Sequence, residues 1–424
     1  MNMEEVTTLV NTNRGNGKKE NLDRMLLLME KLGNPQNQLK FVHIAGTNGK
    51  GTTASFIASI LKEAGLRIGL FTSPHLEVLN ERIQIDQQHI SDEDFIASTE
   101  KVARYVDVVE KELGEKLYSF EILTAVAFVY FSQQVCDLIV LETGIGGRLD
   151  STNVIHTPEV AVITSIGLDH MNMLGDTVDK IAKEKAGTIK ANGTAIVYDC
   201  EEVIRSVFEE KAKHEQAKLT IIDQESIQVI ATSVKEQRFH YKDLHDLVIH
   251  MIGDHQLSNA TLAIETALTL SEQYEAIDEE AIRGGLNKAF WAGRMETLQE
   301  QPLVLVDGAH NEQGVKALSQ NIRTLFPDQQ VTFIVGMMKD KGYMDMISEV
   351  KDLASKILTV SPDPWRGFDA EEVANQLEKT GISAQALTSV DAVKAYIASA
   401  GTEEIIIVFG SLYLVGDLRK QFSH

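Results

Sequence analysis

The chain has 424 residues, 43% hydrophobic and 24% charged. That is the composition of a soluble globular protein, long enough for two or three domains at roughly 100–200 residues each. Forty basic against 62 acidic side chains leave a formal charge of −22. This excludes nucleic acid and anionic membrane as natural partners and requires any anionic ligand to find its positive partners concentrated locally, in loops or around a metal. Two cysteines, Cys136 and Cys200, exclude a disulfide framework or a paired-cysteine zinc site and read as buried thiols in a reducing cytosol. The first twenty residues lack the apolar core of a signal peptide, and no run reaches the roughly 18 apolar residues of a membrane helix. A cytoplasmic monomer is expected.

Along the chain, short β-branched runs alternate with longer helical patterns. Strands are expected at residues 40–45, 67–71, 137–141, 160–164 and 194–198, because near-continuous apolar runs of this length suit parallel strands buried on both faces. From Thr52 to Ala64, Phe56, Ile57, Ile60, Leu61 and Ala64 recur at helical spacing and Gly65 is placed as a stop. Strand, glycine-rich turn, helix and strand make a βαβ unit. Residues 218–252 alternate in the manner of antiparallel strands and are expected at an edge of the first domain. A second series of strands, at 303–307, 331–336, 356–360 and 404–410, predicts a second α/β domain with its own sheet. The boundary is placed in the polar stretch 290–302, giving domains of residues 1–294 and 295–424.

Chemistry begins at "HIAGTNGKGTT", His43 to Thr53. Gly46, Gly49 and Gly51 let the backbone bend and approach a ligand, successive N–H groups before a helix favour an anion, and Lys50 supplies a point charge. The spacing departs from the usual phosphate loop: Ile44 stands at the first glycine and Gly51 where a Mg²⁺-holding hydroxyl belongs. Thr52 or residues elsewhere must then serve the metal. Candidates sit at the carboxyl ends of the following strands, where open α/β sheets bind ligands: Thr72-Ser73-Pro74-His75, Glu142, and Asp169-His170. Ser73, Glu142 and His170 are each ordinary strand-end residues, and their shared location is what points to a site. In the second series Asp307 and His310 end a strand, and Arg294 lies in the junction.

Taken together these segments resemble the bacterial folylpolyglutamate synthase and dihydrofolate synthase family, one branch of the ATP-dependent amide ligases that include the muramyl-peptide ligases. "GTNGKGT" resembles its phosphate loop with the odd glycine after the lysine. "FTSPHL…NERI", "ETGIGGRLDSTNV", "GLDHMNMLGDTVDKIAKEKAGTIK", "GDHQLSNA", "GRME", "DGAHN" and "FGSLYLVGDLR" follow in family order over nearly the whole chain. The resemblance implies an α/β protein: an N-terminal P-loop ATPase domain with a mostly parallel sheet and a smaller Rossmann-like C-terminal domain. It implies that Gly46, Thr47, Asn48, Gly49, Lys50, Gly51 and Thr52 hold ATP phosphates. Ser73, Glu142 and His170 become Mg²⁺ ligands, with Lys185, carbamylated, near a second Mg²⁺. Asn259, Arg294, Asp307 and His310 contact nucleotide. Thr72, Pro74, Arg82, Phe120 and Glu121 form the pterin pocket, and Ser411 and Tyr413 face the incoming amino acid. Lys50, His170 and Lys185 carry the catalysis. Two departures are Thr52, where many members have Ser, and His75, where the family varies.

The implied reaction adds L-glutamate to a folate, and to dihydropteroate, through an acyl phosphate. Alternatives are a monofunctional folylpolyglutamate synthase, a muramyl-peptide ligase, an NTPase switch that hydrolyses nucleotide without an acceptor pair, and a non-catalytic binding module. For Lys185 the plain alternative is a solvated helix face shared with Lys180, Lys183 and Lys190.

Overall fold

The structure is a computed structural model that describes residues 1–12, 20–339, 342–363 and 366–422. The chain divides into two compact units. The first comprises Met1–Gln228, His240–Leu247 and Ser258–Ala289, the second Val229–Phe239, Val248–Leu257 and Phe290–His424. Both are mixed α/β with largely parallel sheets.

The first unit contains β1 (Phe41–Ala45), β2 (Ile68–Phe71), β3 (Ile83–Ile85), β4 (Gln88–His89), β5 (Leu138–Glu142), β6 (Val160–Ile163), β7 (Thr194–Tyr198) and β8 (Lys218–Ile222). They form one sheet in the order β4-β3-β2-β5-β1-β6-β7-β8. From β2 to β8 all pairs are parallel, and β3 and β4 add an antiparallel edge. Every residue of β1, β2, β5 and β6 is buried, as expected of strands covered on both faces. Because β5 and β6 flank β1 from opposite sides, the chain reverses its winding there, and the crevice at the strand ends is where such sheets bind ligands.

Helix Lys50–Glu63 runs from the turn after β1, with residues 52–61 all buried. Helix Glu279–Lys288 packs closely against it through Gly285, where a Cβ would stand 2.3 Å from Ile60 Cα. Helix Asp92–Leu113 shows how local sequence sets ends. Ser91 accepts from Asp94 N, three acids fill the first turn, and Gly114 closes it at φ 72°. No helix among the described residues is long and apolar enough to cross a membrane.

Residues 218–252 do not behave as one edge. β8 extends the parallel sheet beside β7, whereas β9 (Ile227–Thr232), β10 (Gln237–Tyr241) and β11 (Leu244–Ile249) make a separate three-stranded sheet. The second unit carries β12 (Glu296–Glu300), β13 (Leu303–Val306), β14 (Val331–Val335), β15 (Ala354–Val360), β16 (Ala384–Leu387) and β17 (Ile405–Phe409), ordered β12-β13-β17-β14-β15-β16. Only the β12–β13 pair is antiparallel. The polar stretch read as a boundary therefore contains an edge strand, β12. Cys136 and Cys200 are free and half-buried rather than fully enclosed, and burial pushes both thiols up to about 11.

Candidate active site

The turn after β1 is built for close approach. Gly46 and Gly49 have φ of +150° and +86°, and a Cβ on either would collide, at 1.7 Å from Thr164 Oγ1 and 2.4 Å from Asn259 Oδ1. Backbone freedom and lack of space both demand glycine. The turn is fastened to the loop after β6: Thr47 N donates to Ser165 O at 2.7 Å, Thr164 Oγ1 to Asn48 O at 2.7 Å, and Gly167 N to Thr47 Oγ1 at 3.1 Å. Gly49 is the N-cap of helix Lys50–Glu63 and offers no side chain to its first N–H groups, which leaves a helix N-terminus suited to an anion. Gly51 lies in the first helical turn and Thr52 is buried. Asn259 is buried on helix Asp254–Ser271, its Oδ1 accepting from Tyr198 OH at 2.9 Å.

Two lysines converge on one carbonyl. Lys50 Nζ donates to Gly46 O at 3.2 Å and Thr47 O at 3.1 Å, while Lys185 Nζ donates to the same Gly46 O at 2.6 Å. Lys50 therefore does not simply face solvent. Lys185 is 3% exposed. Burial first, then repulsion from Lys50, push its pKa down to about 7 against the pull of Asp169 and Asp150. The solvated-face alternative holds for Lys180 and Lys183, which are exposed and pair with Asp176 and Asp179, and fails for Lys185. Lys190 donates to Asn153 O at 3.0 Å and to Ile155 O, and burial takes it down to about 8.

Glu142 closes β5, 3% exposed, and its Oε2 accepts from Ser73 N at 3.0 Å. Serine and carboxylate are thus brought together. The loop after β2 is shaped by Glu81, whose carboxylate accepts from Leu76 N, Glu77 N and Val78 N at 2.6–2.7 Å. Thr72 is buried with its N–H on Arg82 O, Pro74 is exposed, and Arg82 Nε donates to His75 Nδ1 at 2.8 Å. The Phe120 ring packs on Phe71 at 5.7 Å between centroids and fills the space a Cβ on Gly144 would need. Glu121 differs from these neighbours. It is fully enclosed at the start of helix Ser119–Gln134, its carboxylate taking Arg24 Nε at 3.2 Å and Tyr118 N at 2.8 Å. His170 is exposed at φ 49°, capping the short helix Met171–Leu174. Among the described residues, no three His, Cys, Asp or Glu side chains gather as a metal cage.

Sequence reasoning missed Asp150. Its carboxylate accepts from Gly144 N, Ile145 N and Thr152 N, each at 3.0 Å, and from Thr152 Oγ1 at 2.6 Å. It holds the turn that follows Glu142. The one signal available was the Asp-Ser-Thr run, which suits an Asx turn.

In the second unit Arg294, Asp307 and His310 come together around Gly308. Asp307 is buried, its two oxygens accepting from Met295 N at 2.9 Å and Ala309 N at 2.8 Å. Burial raises its pKa, while Arg294 and the two N–H groups oppose the rise. Arg294 Nη1 lies 2.7 Å from where a Gly308 Cβ would stand, and His310 Nδ1 is 2.7 Å from Gly308 O. His255, also on this unit, is pushed down to about 4 by burial and by Arg294. Ser411 is the buried N-cap of helix Leu412–Lys420 and accepts from Tyr413 N at 3.2 Å. Tyr413 is exposed, with Arg366 Nη1 3.4 Å from its hydroxyl.

Both units match amide-ligase families: residues 44–267 the Mur ligase middle domain, and residues 293–412 the Mur ligase glutamate ligase domain. The chain is 39% identical to the dihydrofolate synthase/folylpolyglutamate synthase of Bacillus subtilis (strain 168), with 96% of each chain covered. A solved Mycobacterium tuberculosis folylpolyglutamate synthase complexed with ADP superposes with a TM-score of 0.90 at 28% identity, covering 100% of this chain and 98% of that one. A complex of folylpolyglutamate synthase with AMPPCP and folate gives a TM-score of 0.86 at 32% identity, with both chains covered in full. The chain belongs to the dihydrofolate synthase/folylpolyglutamate synthase family of the Mur ligase superfamily.

Proposed function

We propose that this chain is an ATP-dependent ligase that joins L-glutamate to a reduced folate, and also to dihydropteroate. The observation that carries the reading is the pair of lysines meeting on Gly46 O beside an uncapped helix N-terminus, in a chain whose relatives are named for this activity and include one solved with AMPPCP and folate.

A free carboxylate is a poor acyl donor because its leaving group would be oxide. Transfer of the γ-phosphoryl to the substrate carboxylate gives an acyl phosphate and ADP. Attack by the glutamate amine on the acyl carbon then gives the amide, with phosphate leaving and the amine proton released to solvent. In this P-loop reading, residues 46–52 cradle the phosphates through backbone N–H groups, and Lys50 turns from its loop carbonyls to the charge spread over the transferring group. Thr72, Pro74, Arg82 and Phe120 face the pterin side. Arg294, Asp307 and His310 serve nucleotide from the Rossmann-like unit, and Ser411 and Tyr413 serve the incoming amino acid.

Ser73, whose backbone N–H donates to Glu142 Oε2, and Glu142 carry hard oxygens of the kind Mg²⁺ takes and would hold the ion, with His170 as a further ligand. When bound, the ion supplies charge neutralisation between phosphate oxygens. Lys185 as an ammonium would repel it. A buried amine whose pKa is pushed down to about 7 has a far larger neutral fraction near neutral pH than an ordinary lysine, and the neutral amine is what adds CO₂. The carbamate would reverse the charge and present oxygen to a second Mg²⁺. Protein equilibrated with carbon-13 bicarbonate should show a carbamate resonance that vanishes in Lys185→Ala. The same variant should lose ligation and regain part of it with acetate.

The deciding assay is ADP release with tetrahydrofolate plus glutamate and, separately, with dihydropteroate plus glutamate. Turnover with both supports the bifunctional reading. Turnover with tetrahydrofolate alone leaves a monofunctional folylpolyglutamate synthase, and turnover with neither overturns the proposal.

A further inference from the structure

His43 lies at the centre of β1, fully buried, with Nε2 2.8 Å from Thr152 Oγ1. The direction of that hydrogen bond follows from its neighbours. A carboxylate only accepts, and Thr152 Oγ1, 2.6 Å from Asp150 Oδ1, must spend its single proton there. Its lone pairs are what it offers His43, so Nε2 is the protonated ring nitrogen. Nδ1 is then bare, and it is buried with no hydrogen-bond partner among the described residues. Burial, followed by repulsion from the Lys190 ammonium, pushes this imidazole down to about 3. A ring in this setting is a fixed donor rather than a proton carrier.

What it fixes can be followed through the fold. Thr152 and Asp150 pin Gly144 N and Ile145 N. The same turn presses on the end of helix Val178–Ala186, where a Cβ on Gly147 would stand 2.8 Å from Glu184 O and 2.9 Å from Lys185 O. Arg148 N donates to Glu184 O at 2.7 Å, and Arg148 Cα occupies the space beside Gly187, 2.4 Å from where its Cβ would be. Lys185 Nζ then returns to Gly46 O, at the end of the strand on which His43 sits. The path is a closed circuit from β1 back to the turn after β1.

We infer that His43 is a positioning residue, its Nε2 proton holding Thr152 and Asp150 so that the turn after Glu142 seats Lys185 against the phosphate-binding loop. The consequence for turnover rests on the ligase reading, whereas the tautomer does not. Nitrogen-15 NMR of histidine-labelled protein, with the His43 signals assigned by their loss in His43→Gln, should show an Nε2-protonated neutral ring unchanged between about pH 5 and 8. An Nδ1-protonated ring, or a titration midpoint in that range, overturns the inference.

In kinetics, His43→Leu removes the donor and should lower kcat about tenfold, with KM for ATP changed less than about twofold. Thr152→Val should do the same. His43→Gln, whose amide N–H can replace the Nε2 proton, should recover most of the loss. Unchanged kcat in Thr152→Val, or equal losses for Gln and Leu, overturns the positioning role. If the unaltered protein ligates neither folate nor dihydropteroate, the ligase reading falls while the NMR result still decides the circuit.

Discussion

The turns after β1 and after β13 start from the same architecture, a short apolar parallel strand that ends in glycine-bearing chain, and arrive at opposite electrostatics. After β13, Asp307 is compensated: two N–H groups and the neighbouring Arg294 meet its charge within the unit. After β1, like charges crowd. Lys50 and Lys185 share one carbonyl, and the repulsion between them is part of why Lys185 is depressed. The turn after β13 meets most of its charge within the unit, although burial still leaves the Asp307 pKa raised. A turn that concentrates cations in a chain of net charge −22 is suited to an anion from outside, the place our proposal gives to phosphate.

The comparison can be broken most directly at Lys50. Lys50→Ala should lower kcat for ligation about 10²–10³-fold, the range for removing one preorganised group that meets developing charge, while the fold persists at a cost of about 1–3 kcal/mol for the lost hydrogen bonds to Gly46 O and Thr47 O. In protein freed of CO₂ the variant should also raise the pKa of the Lys185 amine by removing the repulsion, measurable by NMR of labelled lysine. A near wild-type rate would show that the crowded cations serve no anion.

The compensated turn should fail in stability. Asp307→Ala leaves the Met295 and Ala309 N–H groups buried without acceptors, at a cost of about 1–3 kcal/mol each, offset by release of a buried charge. A net loss near 2 kcal/mol should appear in denaturant melts followed by a probe in the second unit, and no loss would mean that the carboxylate was not holding that turn.

Acid sharpens the contrast because His43 and Asp307 respond with opposite sign, although His255 in the second unit, lowered to about 4, follows His43. His43 folds with its pKa lowered to about 3, against roughly 6.5 unfolded. Between those values the unfolded chain binds the proton that the folded chain refuses, so stability declines as pH falls, by up to about 1.4 kcal/mol per pH unit. Asp307 is raised, so its folded form takes up a proton before the unfolded one does, and its contribution grows as pH falls through the folded value. His43→Gln should flatten the acid decline in hydrogen exchange of the first unit and leave the second unit's profile alone. An unaltered slope would show that His43 is not held neutral.

The smallest effect belongs to Lys180, on the same helix as Lys185 but exposed and paired with Asp176 at 2.7 Å. Lys180→Ala should leave both the denaturant midpoint and kcat unchanged within error. A large effect would mean that position along the helix, rather than burial against Gly46, sets the importance of a lysine here.

Particular residues show what was legible in the sequence. β1, β2, β5, β6 and β7 announced themselves as apolar β-branched runs because strands buried on both faces carry few polar positions to confuse the pattern. β4 is two exposed residues, β12 is mostly polar and β16 is half-buried at an edge, so none carries that signature. Within the site, the residues that offer charge or backbone freedom were visible: Gly46, Gly49, Lys50, Glu142 and Lys185. The residues that hold them were not. Asp150 and Glu81 act on N–H groups several residues away in the chain, and His43 acts through a threonine more than a hundred positions on. Nothing in local composition marks a carboxylate that will bend backwards to a turn. Glu121, which the resemblance assigns to the pterin pocket, is enclosed in the fold with its charge met by Arg24, a pairing that local sequence does not mark.

The division of the chain has a consequence for dissection. The second unit is assembled from three stretches, and its core draws on all of them, with Ile252 buried among the residues of the 290–424 segment and Val234 packed against that core. A fragment beginning at residue 290 would lack both side chains, and a single proteolytic cut near that point would release no intact piece. During synthesis, residues 229–239 and 248–257 emerge well before the segment that completes their surroundings. They must wait for it, which makes the integrity of the C-terminal unit depend on chain made much earlier.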